Sequence, residues 1–567
     1  AFFGFNSAMR GKIELERFKD ELSAFINHTL GQKYNGEHAP QLAIISPTAI
    51  QNLSATHHTP DGEKQNGLLS LYTNAMRDIC EQNGVLFIDA FSPSKAIFDA
   101  TQKPLTVDGA LLTDRGYQWL AGWLANDLYG ETTSNPHRKL VHAAVMEKNF
   151  VWHNLFKIPN GVHVYGRRYN PFGPKNYPDE LKKLAEMTVI RDHAIWRALE
   201  GKKSNLNTAD AKTHKLPPVE TNYKPSNKNG QTRYLSGKDT LKQLAVPKGY
   251  KIELFADEKQ FPELANPVQM SFDNKGRLWV GCMPSYPHWR PGDPKPTDKL
   301  IIFEDTNNDG KADKRTVFAD DLHLVIGFEL AKEGVYVSQA DSLILLTDTN
   351  GDDKYDTKEY LISGFDDHDT HHAISAFCAD PSGAIYMGEG VFLHSNIESV
   401  YGTHRGTNGG HFRYNPKRRH LERTAQLRIP NPWGTAFDKG GQNFFLHTSG
   451  TSVNWMAPGT VKSTYGQGMV ASKNLITSNA VRPTSGIEFI SSRHFPDEVQ
   501  GDILLCNNIG FLGIKQHKIE EDGTGYKTSY RQDLLKSSEG NFRPVDLEFA
   551  PDGSLYVIDW SNVLIGH

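Results

Sequence analysis

The run Asp366-Asp-His368-Asp-Thr-His371-His372 is the densest concentration in the chain of side chains able to move a proton. An imidazole there can take a proton from a hydroxyl as general base or, with Asp366 and Asp369 beside it, bind a metal ion. His372, together with His371, is the leading candidate for the base, although a histidine taken singly is more often a satisfied structural residue. Other polar side chains recur before or at the ends of later strand-like runs: Glu389, His404, Arg405, His411, Asn431, Trp433, His447, Arg543 and Asp546. If those runs surround a common centre, His368, Glu389, His411, Asn431, Trp433, Arg543 and Asp546 join His371 and His372 around one polar pocket.

A second chemistry is spelled by oxygen-bearing residues at alternate positions. Asp305-Thr-Asn307-Asn-Asp309-Gly310-Lys311-Ala-Asp313 puts side-chain oxygens at loop positions 1, 3, 5 and 9, with a backbone carbonyl at Lys311 and a glycine at the sharp turn. A hard cation such as calcium wants this array. Asp348-Thr-Asn350-Gly-Asp352-Asp353-Lys354-Tyr-Asp356 repeats it, with Asp353 in the glycine position and Glu359 at position 12, the place of a bidentate ligand. The first copy has Thr316 there. Either loop can also be read as a solvated acidic turn between two strands.

These groups need elements to hold them. Beyond about residue 244 an apolar strand, a turn with Asp and Gly, and a second apolar strand recur as VQMSFDNKGRLWVG, AISAFCADPSGAIYMGEG, GTAFDKGGQNFFLHTSG and VDLEFAPDGSLYVIDW, and more weakly as GFELAKEGVYVSQA. Hairpins repeated in this way predict propeller blades, and roughly 320 residues allow six or seven of them. A β-sandwich with long loops is the other reading, and it does not reuse one hairpin signature. In a propeller the loop carrying His371 and His372 leads into the inner strand of a blade, at the mouth of the central channel.

Residues 1–130 alternate differently. RGKIELERFKDELSAFINHTL and LYTNAMRDICEQNG have helical spacing, whereas QLAIISPTA and GVLFIDAFS read as buried strands, which predicts a parallel sheet with crossover helices. Residues 131–200 form a helical extension that the pattern assigns to neither neighbour. Residues 201–243 turn polar, rich in Lys, Asn, Thr and Pro, as a linker or surface strap does.

Composition excludes several classes. Lys+Arg 62 against Asp+Glu 66 gives a net charge of -4, which offers no field to a polyanion and argues against nucleic acid as partner. Cys80, Cys282, Cys378 and Cys506 form no CxxC pair, so neither a zinc ribbon nor a c-type haem site is encoded in this chain. No apolar run is long enough to span a membrane. The chain opens at Ala1 inside AFFGFN and stops at His567 soon after LYVIDW, so both ends read as cut from a longer precursor.

The stretch from VPKGYKIELFAD through PVQMSFDNKGRLWVG, DTNNDGKAD, DTHHAISAFCADPSGAIYMGEGVF, NPWGTAFDKGGQ and RPVDLEFAPDGSLYVIDW to NVLIGH resembles the membrane-bound dehydrogenase propellers of planctomycetes and verrucomicrobia over residues 244–567. Those are similar in turn to soluble sugar and sorbosone dehydrogenases. The resemblance implies a histidine base before an inner strand, here His372 or His371, and hydride transfer to pyrroloquinoline quinone. It also implies a bacterial periplasmic or cell-surface setting and a cytochrome domain or partner. Where the resemblance leads one to expect a second histidine, in NPWG, the chain has Trp433.

Residues 1–130 resemble the end portion of an SGNH (GDSL-type) esterase domain, a flavodoxin-like α/β sheet. That resemblance implies Gly4 and Asn6 as oxyanion-hole groups and Asp108 as the acidic member of a DGxHLT-type motif in which Leu111 replaces the histidine. Leucine accepts no proton, so the domain reads as a degenerate, incomplete hydrolase. The expected whole is therefore multidomain, with a partial α/β SGNH-type unit and an all-β propeller. Three functions follow: an oxidoreductase acting on a sugar or polyol, with calcium and a quinone; a non-catalytic carbohydrate-binding or assembly module, with Trp289, Trp433 or Trp455 as a platform; or a carbohydrate esterase.

Overall fold

A computed structural model describes residues 1–130, 134–170, 173–218, 234–427, 429–450, 452–457 and 474–562. Part of the polar strap (219–233) and the last residues of NVLIGH lie outside the described residues.

The N-terminal region is mainly helical around a small parallel pair, Ala43–Ile45 with Leu86–Ile88, in the register Ala43↔Leu86 and Ile45↔Ile88. The crossover between them is the helix Glu63–Gln82, which turns Leu69, Tyr72, Met76, Ile79 and Cys80 inward. Helix Leu15–Leu30 answers with Leu15, Phe18, Leu22 and Ile26, the three- and four-residue spacing that keeps one face apolar. Thr113 caps helix Asp114–Tyr129 by accepting the Gly116 N–H. A Cβ on Gly116 would lie 2.1 Å from the Leu105 carbonyl oxygen, so this approach requires glycine.

The extension 131–200 belongs with the propeller. Helices Arg138–Phe156 and Gly173–Leu199 pair through Lys148 and Asp192 and bury Val151, Leu184 and Met187 against Trp289, whose ring meets Phe150 edge-on at 4.8 Å. No helix among the described residues is long and apolar enough to cross a membrane.

From residue 267 the chain builds antiparallel sheets in sequence order. The first is Pro267–Phe272, Leu278–Cys282, Asp298–Glu304 and Lys314–Leu322; the second is Phe328–Ala331, Gly334–Gln339, Ser342–Thr347 and Thr357–Ser363. The third is Ser375–Ala379, Ile385–Glu389, Gly410–Asn415 and His420–Gln426, with a separate hairpin, Asn396–Ser399 and Gly402–Arg405, inserted in it. The fourth is Thr435–Phe437, Asn443–His447 and Ser452–Trp455. The fifth is Thr484–Phe489, Ile503–Asn508, Leu512–Asp522 and Gly525–Ser537, and Leu244–Ala245 from the end of the strap joins it as an outermost strand.

The hairpin Pro544–Phe549 and Leu555–Asp559 then fits between the fifth sheet and the first, so the inner strands close a ring. Asp546 Oδ2 accepts the Met270 N–H at 2.9 Å across that closure. The architecture is a propeller and not a sandwich. Its blade count among the described residues is five, with a two-stranded hairpin closing the circle, in place of the six or seven expected. The spacing of the repeats overestimated the count because the third blade spends its length on the inserted hairpin.

The recurring turn explains the repeat. Asp273 Oδ1 accepts the N–H groups of Lys275 and Arg277, Asp380 those of Ser382 and Ala384, and Asp438 those of Gly440 and Gln442. The glycine in each turn takes a left-handed φ, 79° at Gly276 and Gly383 and 77° at Gly441. The aspartate thus satisfies the turn's donors and the glycine makes the reversal without strain.

Candidate functional site in the propeller hub

The first residues of the inner strands surround a cavity of about 340 Å³, towards the lower end of the ~300–1,000 Å³ common for small-molecule sites. Val268, Ile326, Phe377, Ile487 and Val545 give it apolar walls; Gln269, Asn508 and Asn562 give it amides; Tyr286, His371, Trp433 and Trp560 crowd it with rings. The carboxyl that lines it is that of Asp546, pushed up to about 7 by burial.

The loop 366–372 is held from several sides. Asp369 caps the short 3-10 turn Thr370–His372 by accepting the His371 N–H. Thr370 Oγ1 donates to the Pro287 carbonyl at 2.7 Å, and the Asn160 and Val162 N–H groups bond the carbonyls of Asp367 and His368 at 2.9 Å. Asp366 accepts from the backbone of His368 and His394, while Asp367 lies 3.5 Å from Lys157 Nζ.

The two adjacent histidines are thereby sent to different places. His372 is 1% exposed; its Nδ1 is 2.9 Å from Asp369 Oδ2 and its Nε2 is 2.5 Å from Asn431 Oδ1. Both ring nitrogens are committed to protein groups, and the ring lies behind the cavity wall. His371 lines the cavity, bonded through Nδ1 to the Tyr286 hydroxyl and set edge-on to Trp433 at 4.3 Å between ring centres. Burial pushes the Tyr286 phenol well above its ordinary pKa, so it stays a neutral hydrogen-bonding group.

Trp433 and Asp546 line the cavity, and Asn431 stands behind it on His372. Four expected pocket residues do not reach it. His368 packs on Tyr165 of the extension, ring centres 5.1 Å apart. Glu389 is buried inside the third blade 3.0 Å from the Arg423 guanidinium, and its neighbour on the next strand, His411, is fully buried on Phe445 with its pKa driven down to about 3 by desolvation. Arg543 donates to the Gly540 and Phe542 carbonyls at 2.7 and 3.0 Å, within its own loop ahead of the closing hairpin. For Glu389 and His411, both on strands outside the inner ring, the strand's place in the blade sends the side chain to the blade interior instead of the channel. His404 lies in the inserted hairpin, 3.2 Å from Ser399 Oγ, and Arg405 bonds Asn396. Of the other expected platform rings, Trp289 is buried under the helical extension and Trp455 donates to Gln442 Oε1 at 3.0 Å.

Sequence reasoning missed the floor of the channel. Glu329, Glu488 and Glu548 come from the inner strands of the second, fifth and closing sheets; Glu548 feels Glu488, Asp546 and Glu329, and Glu488 feels Asp546. Burial raises Glu329 and Glu488 to about 7 and raises Glu548 further from the carboxylate range, where the three other carboxyls add to burial. The signal was present: GFELA, GIEF and DLEF each carry a glutamate at the same register of an otherwise apolar strand. Tyr286 was missed as well, and no motif marks it.

The two acidic loops share one internal network. Asp305 Oδ2 accepts the Gly310 N–H at 2.7 Å and Asp348 Oδ2 the Asp353 N–H at 2.9 Å; Asp313 and Asp356 bind back to Thr306 and Thr349. Asp353 takes φ 62°, reproducing the left-handed turn of Gly310, and its carboxylate pairs with Arg277 at 2.8 Å. Glu359 does not face the loop, because it lies on the strand Thr357–Ser363 and sits 3.4 Å from Arg419. Among the described residues no three His, Cys, Asp or Glu side chains converge as metal ligands, so Asp305, Asp309 and Asp313, with Asn307 and the Lys311 carbonyl, and Asp348, Asp352 and Asp356, with Asn350 and the Lys354 carbonyl, are not drawn into a closed cage.

Asp108 and Asn6 hold a hairpin inserted in the propeller. Asp108 Oδ1 accepts the Ala110 and Leu111 N–H groups at 2.8 Å, and Oδ2 accepts the N–H of Val400, at the tip of the inserted hairpin, at 3.0 Å. Asn6, in the helix Phe5–Met9 that Gly4 opens with φ 100°, bonds Thr403 of the same hairpin. Val400 is fully buried in the N-terminal core, and Leu111 packs on the propeller core.

A family model described as a domain of unknown function (DUF7133) matches residues 236–567. No curated protein matches. Solved structures that resemble the chain include the pyrroloquinoline-quinone-bound aldose sugar dehydrogenase of Streptomyces coelicolor, at 14% identity over 56% of this chain and 92% of that one, with a TM-score of 0.34. They also include the calcium-binding protein regucalcin of Agrobacterium tumefaciens, at 14% identity over 53% and 83% with a TM-score of 0.33, and virginiamycin B lyase of Staphylococcus aureus, at 12% identity over 53% and 93% with a TM-score of 0.31. Similarity of this degree is no guide to activity.

Proposed function

The chain belongs to the DUF7133 family, whose description names no chemistry, and from the geometry of the hub we propose that the cavity binds a small sugar or polyol and that His371 is its proton acceptor. The observation that carries this reading is the Tyr286–His371 pair facing a cavity walled by Trp433. With its Nδ1 bonded to the Tyr286 hydroxyl, the His371 imidazole stands in the cavity wall as the group that takes a hydroxyl proton in this reading. An indole face beside amide side chains suits the apolar face and hydroxyl rim of a sugar.

The quinone implied by the dehydrogenase resemblance is a flat tricarboxylic acid. Among the described residues no lysine or arginine lines the cavity, and Asp546 stands in the wall with Glu329, Glu488 and Glu548 below. Those residues do not fit a trianion, which favours a second reading, carbohydrate binding without turnover. Calcium in the two acidic loops and an extracytoplasmic setting remain parts of the proposal, supported by the loop pattern; a cytochrome partner rests on the resemblance alone.

Calorimetric binding of neutral sugars and polyols, followed by dye-linked oxidation with and without added quinone and calcium, tests both readings. Binding with oxidation that His371→Ala abolishes supports the first. Binding without oxidation under any condition leaves the second. No binding of any sugar overturns both.

A further inference from the structure

The Asp546 carboxyl in the wall of the hub cavity has no counter-charge. Burial lifts it, opposed by the backbone N–H groups of Met270 and Leu547 and by no cationic side chain among the described residues. Glu548 follows two residues on along the same strand, and so on the same face of it. The Cys378 thiol is pushed up first by burial and then by Glu329, Glu488, Glu548 and Asp546, so acids from the inner strands of three sheets face one stretch of the channel. No cation lowers Glu329, Glu488 or Glu548 either.

A second, separate observation lies in the cavity wall. Asn508 lines the cavity and is 1% exposed; its Nδ2 donates to Ser485 Oγ at 3.2 Å, and no donor among the described residues reaches its buried Oδ1. Ser485 Oγ in turn donates to the Pro544 carbonyl at 3.1 Å, which ties Asn508 to the strand of Asp546. Gln269 is by contrast fully engaged, with Nε2 on the Phe328 and Phe377 carbonyls and Oε1 on the Phe328 N–H. A buried acceptor left without a donor is costly, and a ligand that brings one removes the cost. The rings complete the arrangement. Tyr286 and Trp560, both in the wall, stand at 89° with 5.6 Å between their centres, and aromatic faces set at angles around a pocket attract an alkylammonium.

We propose that the hub selects a polyol bearing an ammonium group, an amino sugar or an amino alditol, with Asp546 and Asn508 Oδ1 as acceptors for its nitrogen and Tyr286 and Trp560 as the rings beside it. This rests on the reading of the hub as a sugar or polyol site and names the class within it. An ammonium has N–H donors and no acceptor, so it satisfies the orphaned amide oxygen and supplies the charge that the channel acids lack. An anionic sugar meets repulsion from the same groups, and a neutral one leaves them uncompensated.

The test compares sorbitol with glucamine, the same alditol with a primary ammonium in place of one terminal hydroxyl, by calorimetry on the full chain. Glucamine is expected to bind at least about 10-fold tighter than sorbitol. Asp546→Asn keeps an acceptor for the Met270 N–H but removes the charge, and should bring the two affinities to within about 3-fold of each other. Trp560→Leu keeps apolar bulk without the aromatic face and should lower the glucamine preference roughly 3-fold, which provides a test independent of how well Asp546→Asn folds. Melting temperatures establish the folding of each variant. Glucamine binding no tighter than sorbitol overturns the ammonium site and leaves the hub reading intact. A glucamine preference that survives both substitutions overturns it as well, since the chain's net charge then accounts for it. Binding of neither ligand overturns both readings.

Discussion

Replacing His371 and His372 in turn should produce opposite signatures. His372→Ala strips a buried imidazole from Asp369 and Asn431 and leaves a buried carboxylate without its partner, so denaturant unfolding should show a loss of about 2–4 kcal/mol. His371→Ala should leave stability nearly unchanged and remove whatever turnover the hub supports; Tyr286→Phe should weaken that turnover by freeing the imidazole's tautomer. The hub carboxyls make a second residue-scale prediction. Asp546, Glu329 and Glu488 hold protons in the folded chain up to about 7 that the unfolded chain releases above its ordinary carboxyl pKa of about 4. The native state therefore binds more protons between those values, and the contribution of these groups to stability falls as pH climbs from about 4 to 7. Melting curves over that window should slope downward, and Glu488→Gln should flatten the slope. Asp273 and Asp380, held below the usual range, act in the opposite sense only at lower pH, where protonation removes their stabilisation.

Single elements were legible in the sequence to different depths. The Asp-x-x-Gly hairpins announced the blades because an aspartate satisfies the same turn donors in the first, third and fourth sheets. Which acids reach the channel was not legible: Glu389, ending the second strand of the third sheet, and Asp546, on an inner strand, look alike in the sequence, and only each strand's place in its sheet separates a buried ion pair from a cavity wall. The extension 131–200 could not be placed because its apolar face matches a surface on Trp289 that no local periodicity reveals. In the acidic loops, Gly310→Ala should cost about 1 kcal/mol from its φ of 81°, read by thermal melting. Calcium at millimolar concentration should raise the melting temperature of the wild-type chain and not that of a variant carrying Asp305→Asn with Asp348→Asn. An unchanged wild-type melt removes calcium from the proposal.

At the scale of the molecule, the N-terminal region and the propeller are joined through the hairpin that carries Val400. Asp108→Ala would leave the N–H groups of Ala110, Leu111 and Val400 unsatisfied in a buried place and should cost about 2–4 kcal/mol, whereas Asp108→Asn keeps one acceptor and should cost less. A chain beginning near residue 236 should be poorly soluble, because Val400, fully buried in the whole protein, and the half-buried Tyr401 beside it would face water. Light scattering of that fragment against the full chain decides it. Asn6 and Asp108 thus clasp a tongue from the other half of the molecule, so that moving one half away from the other must first break these buried bonds.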